Sequence, residues 1–138
     1  MGAFLAAREL TPDLILCSPA QRTLQTLNLA LTALKSRPKI EYDRALYLAA
    51  VPALLAILRQ TPDEAGHVMI VGHNPGLQNF ALKLIGGGKS AERRAIARKF
   101  PTAAIAVITF DAAHRKNVTP GSGELALFTT PMRLALKS

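Results

Sequence analysis

The sequence predicts an α/β fold, a mainly parallel sheet with helices on both faces. Three observations carry that prediction. Short apolar runs alternate with helical patterns along most of the 138 residues, the order that builds parallel strands joined by crossover helices. The runs Leu14–Cys17 and Val68–Val71 are apolar at every position, as in strands covered on both faces. Hydrophobic residues make up 49% and charged residues 19%, enough for one packed domain spanning residues 1–138. With aromatics at 5% and no Trp, its core must be aliphatic.

The elements follow in order. Residues 2–10 read as the end of a helix, with Ala3, Phe4, Ala7 and Leu10 on one face and no capping residue before Gly2. Thr11-Pro12-Asp13 is a turn, and Leu14–Cys17 a strand. Residues 19–35 form a helix with Leu24, Leu27, Leu31 and Leu34 in a stripe. After the Pro38 break, Ile40–Tyr42 is a short strand. Residues 51–60 are a helix facing inward through Val51, Leu54, Leu55 and Leu58, and Pro62 and Gly66 bracket a loop. Val68–Val71 is a strand. In residues 75–85, Leu77, Phe80, Ala81, Leu84 and Ile85 repeat at helical spacing, and Gly86-Gly87-Gly88 ends that helix. Residues 90–98 are a charged helix closed by Phe100-Pro101. Ala103–Phe110 is a strand rich in β-branched residues, and a turn at 119–123 leads to the last strand, Leu125–Thr129. These two strands follow one another directly and are expected to be antiparallel.

Composition limits the partners. Seventeen Lys and Arg against nine Asp and Glu give a net charge of +8, which suits phosphates and acidic surfaces. Nucleic acid is not expected: the cations of Lys89–Lys99 and the Arg115–Lys116 pair have no aromatic residues among them for bases to stack on. Cys17 is the one cysteine, which excludes an intrachain disulfide and points to a reducing, cytoplasmic compartment. Its neighbours Leu14, Ile15 and Leu16 make it an inert structural thiol. No apolar run reaches about 18 residues, and the start has no signal-peptide character, so no membrane association is expected.

One local pattern occurs twice. An apolar strand runs into Ser18-Pro19-Ala20-Gln21-Arg22-Thr23, and a second into His73-Asn74-Pro75-Gly76. Ser18 and Asn74 are N-cap types, and each is followed by Pro as if at the first helical position. Both helices would then start at the C-terminal ends of strands, where open α/β sheets bind ligands. Their free N–H groups suit an anion. Arg22 opposes the helix dipole in the first turn, which makes sense when an anion lies between guanidinium and helix. The other reading of Arg22 is a solvated surface cation, and of His73 a ring bonded to a loop carbonyl. His67 and His114 have no supporting pattern and read as structural or solvated.

SPAQRTLQT (Ser18–Thr26) and VGHNPGL (Val71–Leu77) together resemble the histidine phosphatase superfamily, the phosphoglycerate mutase-like group. YDRALYLA (Tyr42–Ala49), KFPTAAIAV (Lys99–Val107) and PGSGEL (Pro120–Leu125) are similar to its SixA-type phosphohistidine phosphatases. The resemblance runs from about residue 1 to about residue 131. It implies phosphoryl transfer through a phosphohistidine enzyme intermediate, with no metal and no organic cofactor, on a phosphorylated protein or small phosphorylated substrate. It implies catalytic roles for Arg22 and His73, both binding phosphate, and supporting phosphate-site roles for Ser18, Thr23 and Asn74. For the general acid no carboxylate is singled out, Glu41 and Asp43 being the candidates.

The family's nucleophile stands in an Arg-His-Gly motif near the N-terminus, and no Arg-His-Gly occurs in this sequence. Met1–Leu10 resembles the middle of the family's first helix. The expectation is a chain lacking the first strand and nucleophile loop, hence unstable alone and without turnover by the family mechanism. Two functions stay open: a phosphohistidine phosphatase, and a non-catalytic module binding phosphate or phosphoprotein.

Overall fold

The computed structural model describes residues 11–31, 38–101 and 104–130, without the side chains of 29 and 30. The helix expected at 2–10, the helical residues 32–35 with Leu34, the strand start at Ala103 and the tail from 131 lie outside the described residues. Two compact units are present. One holds the described residues up to Ala49 together with Thr61–His73; the other holds Ala50–Gln60 and the described residues from Asn74 onward.

The first unit is built on a parallel sheet of order β2-β1-β3, where β1 is Leu14–Cys17, β2 is Lys39–Tyr42 and β3 is Val68–Val71. The central strand β1 is buried at all four positions, the reason its sequence does not alternate. Leu14 pairs with Lys39 on one side and Val68 on the other, and Cys17 with Tyr42 and Val71. Helix α1, Gln21–Leu31, brings Leu27 onto Ile15 and Cys17, with Leu24, Leu31, Ile40, Met69 and Val71 packed around them. The stripe spacing of Leu24, Leu27 and Leu31 aims these side chains at one face. Strand β2 stays largely exposed and carries a Lys39–Glu41 ion pair at 3.3 Å, charges that guard a sheet edge.

Asp13 ties the start of β1 to that of β3. Its carboxylate accepts from the His67 backbone N–H, and its own N–H donates to the His67 carbonyl, both at 2.9 Å. After β2, a 3-10 turn at Arg44–Leu46 is capped by Asp43, whose Oδ1 accepts from the Ala45 N–H at 2.8 Å.

The second unit holds helices α2 (Val51–Arg59), α3 (Gly76–Leu84) and α4 (Ser90–Arg98), and a sheet of order β4-β6-β5. Strand β6, Gly123–Thr129, pairs parallel with β4, Ile85–Gly88, and antiparallel with β5, Ile105–Phe110. Ala81, Ile85, Ile96, Leu125 and Phe128 form its core, and Phe100 stacks on Phe128 at 5.8 Å. Leu54 and Leu58 are the buried residues of α2.

The α/β class, the predominance of parallel pairing and the antiparallel last pair are what the structure has. Among the described residues, the strands divide between two three-stranded sheets. Gly86-Gly87-Gly88 does not merely end α3; it forms β4. Glycine suits this strand because the backbone of a neighbouring turn comes close: a Cβ on Gly86 would lie 1.9 Å from the Gly121 carbonyl oxygen. Among the described residues, no helix is long and apolar enough to cross a membrane.

Candidate functional site

Strands β1 and β3 are hydrogen-bonded neighbours running the same way, so their carboxyl ends emerge side by side. Cys17 pairs with Val71, and the Ser18 N–H donates to the Val71 carbonyl at 2.9 Å. Ser18 is therefore the first residue beyond β1, and His73 lies two residues beyond β3. The imidazole Nε2 of His73 meets Ser18 Oγ at 2.8 Å.

Ser18 is fully buried, and its polar atoms are engaged. Its Oγ also accepts from the Ala20 N–H at 3.4 Å, and its carbonyl accepts from the Thr23 hydroxyl at 2.6 Å and the Cys17 thiol at 3.3 Å. Thr23, itself buried, shares its one proton with the Ala20 carbonyl at 2.7 Å. A hydroxyl can donate to an unprotonated Nε2 or accept from a protonated one. The Ser18 contact thus orients the ring in either charge state of His73.

Arg22 is the second residue of α1 and its side chain is exposed; the first turn holds no acidic residue. The Tyr47 ring also meets His73, edge-to-face with the imidazole, centroids 5.1 Å apart and planes at 82°. Tyr47 is the contact the sequence reading did not assign. Its one signal is its place in YDRALYLA, a stretch similar to the family but without an attached role.

Two expectations about capping are corrected. Helix α1 begins at Gln21, so Pro19 is not its first residue, and the Ser18 hydroxyl serves the Ala20 N–H in the preceding turn. Helix α3 begins at Gly76 with Pro75 in the cap position and no side-chain cap bond. Asn74 belongs to the second unit, where its side-chain Nδ2 donates to the Phe100 carbonyl. An amide held there is not at the helix N–H groups. The structure thus joins Ser18, Thr23 and His73 in one hydrogen-bonded group, sets Arg22 next to Thr23 in the chain, and gives Asn74 a bond of its own elsewhere.

The carboxylates named as general-acid candidates are both engaged: Glu41 with Lys39, and Asp43 with the turn it caps. Burial pushes the Cys17 thiol pKa up, and the Thr23 hydroxyl opposes this only in part, so Cys17 is an inert thiol. His67 lies near Asp13, Nδ1 to Oδ2 at 4.0 Å, with its side chain largely exposed. Among the described residues, no group of three or more His, Cys, Asp or Glu is gathered as metal ligands.

No family model matches the chain. The uncharacterized protein Rv1276c of Mycobacterium tuberculosis is 34% identical over 132 residues, covering 94% of this chain and 80% of that protein. A structure assigned as the phosphohistidine phosphatase SixA of Agrobacterium tumefaciens matches with a TM-score of 0.74 and 28% identity, covering 94% of this chain and 75% of that one. The fold is also that of a protein assigned as SixA from Nakamurella multipartitia, with a TM-score of 0.78 at 24% identity over 94% of this chain and 77% of that one.

Proposed function

The chain belongs to the histidine phosphatase superfamily, in its SixA-like branch, and on that premise we propose that it acts on phosphohistidine in proteins, holding the phosphoryl group between Arg22 and His73. A histidine-phosphatase-type function is the coarse statement that membership supports. The observation that carries the finer one is the pinned imidazole. His73 is fixed through Ser18 at adjoining strand ends, and the helix that follows Ser18 carries Arg22 as its second residue.

The chemistry fits these groups. A phosphoryl group in transfer carries negative charge on its non-bridging oxygens and needs positioning and neutralisation above all. The Arg22 guanidinium can take two of those oxygens at once, and the His73 imidazole can donate to a third. Ser18 and Thr23 keep the ring and the turn in place. In the family's two-step route a nucleophilic imidazole attacks phosphorus, the leaving group departs, and water then breaks the N–P bond. No residue of this sequence stands in the Arg-His-Gly that supplies the nucleophile. A second reading is a module that binds phosphohistidine or phosphoprotein without turning it over. A net charge of +8 and one free thiol suit an anionic partner in the reducing cytoplasm.

Titration with tungstate, a phosphate-like oxyanion, followed by calorimetry and by the His73 ring resonances, tests the site. Wild type should bind with the His73 signals shifting, and Arg22→Ala should bind at least about tenfold more weakly, the loss of one charge-assisted bidentate contact. Equal affinity of the two proteins removes Arg22 from the site. Incubation with a phosphohistidine-containing protein separates the two readings: free phosphate released over a blank supports the enzyme, and binding without release supports the module.

A further inference from the structure

Among the described residues, the exposed large hydrophobic side chains are Tyr42, Tyr47 and Leu48, all within one short stretch. Tyr47 is 58% exposed and Leu48 66%. Their exposure does not come from a loose loop. Leu46 is buried in the unit, Asp43 caps the turn and donates its N–H to the Cys17 carbonyl at 3.0 Å, and the Tyr47 N–H donates to the Arg44 carbonyl at 3.0 Å. Leu48 is held at φ +52°, a left-handed conformation that a leucine adopts only when its surroundings enforce it. Strain of this kind gathers at ligand sites.

We propose that Tyr47 and Leu48 form a ring-binding subsite beside His73, which takes the flat aromatic group bonded to the phosphorus of the substrate. The inference rests on the reading of Arg22 and His73 as the phosphate holders and adds a substrate determinant to it. In phosphohistidine the phosphorus is bonded directly to a ring nitrogen, so a ring sits one bond away from the phosphoryl group. Tyr47 is in van der Waals range of His73, which sets an aromatic surface beside the imidazole read as a phosphate holder. Its contact with His73 is edge-to-face, an arrangement that leaves aromatic surface of Tyr47 open to a second ring. Offset or edge-on ring pairs add attraction beyond the area they bury. Phosphoserine and phospholysine offer no ring and would forgo that contact.

Phenylphosphonate and methylphosphonate separate ring from phosphate: in both a carbon is bonded to phosphorus and neither is hydrolysed, but only the first carries a ring. Calorimetric titration of the wild type should show phenylphosphonate about 3- to 10-fold tighter than methylphosphonate. Tyr47→Ala should bring the ratio to about one, and Tyr47→Phe should restore it, because the ring and not the hydroxyl makes the contact. A wild-type ratio near one, or a Tyr47→Ala ratio equal to that of wild type, overturns the subsite while the phosphate reading stands. Failure of both phosphonates and of tungstate to bind overturns the phosphate reading, and the subsite with it.

Discussion

Thr23→Val isolates one hydrogen bond at the base of the site. Threonine and valine are both β-branched and of similar shape, so the change removes a hydroxyl without opening a cavity. Thr23 is 4% exposed, and its hydroxyl donates to the Ser18 carbonyl at 2.6 Å and the Ala20 carbonyl at 2.7 Å. The two acceptors fare differently after the change. Ala20 is partly exposed and its carbonyl still accepts from the Leu24 N–H. Ser18 is fully buried, and its carbonyl keeps only the Cys17 thiol at 3.3 Å, a weak donor. The loss is therefore close to that of one buried acceptor, about 1–2 kcal/mol. In urea the midpoint should fall by about 0.5–1 M with the slope unchanged. A second readout is independent of stability. Thr23 holds the Cys17 pKa down against the effect of burial, so the thiol of Thr23→Val should titrate higher than in wild type, as followed by the Cys17 Cβ resonance. Stability within about 0.5 kcal/mol of wild type, or a thiol titrating at lower pH, would show that Thr23 does not hold the turn after β1.

Two further outcomes follow from the fold. Burial raises the Cys17 pKa above the ordinary thiol value of about 8.5, so the folded chain holds that proton more tightly than the unfolded one. The associated stability is complete below about pH 8.5 and is lost as pH rises through the folded value. Urea titrations of Cys17→Ala across this range should lack the alkaline decline of wild type; equal declines would assign it to other groups. In the second unit, Gly86→Ala places a Cβ 1.9 Å from the Gly121 oxygen and 2.8 Å from its carbonyl carbon. Both are backbone atoms that cannot swing aside, so thermal melting should show a loss at or above the roughly 1–3 kcal/mol of an overpacked site. An unchanged melting temperature would contradict the placement of β4 against that turn.

The proposed phosphate site had two kinds of signal in the sequence. Ser18 and His73 were visible as residues at the ends of apolar strands, and Arg22 as a cation where the helix dipole disfavours one. That Ser18 and His73 touch was not visible, because 55 residues separate them. Their contact exists only because β3 pairs with β1 in parallel, with Val71 opposite Cys17. Asn74 shows the opposite outcome. Its residue type and the following Pro fit a helix cap, but its amide is engaged by the Phe100 carbonyl, a competitor that no local pattern reveals.

The sequence by itself determined the strands LILC and VMIV and the helices at 51–59, 76–84 and 90–98 to within a residue or two. In each, hydrophobic spacing and punctuating Pro, Gly or Ser agree, and a local preference needs no distant partner. Only the tertiary structure decided that Gly86-Gly87-Gly88 is a strand, that the strands form two sheets, and that Tyr47 stands against His73. Glycine has little intrinsic strand preference, so β4 exists because β6 offers it hydrogen bonds. Sheet membership and ring contacts likewise depend on which backbone groups meet across long stretches of chain, and that is a property of the folded molecule.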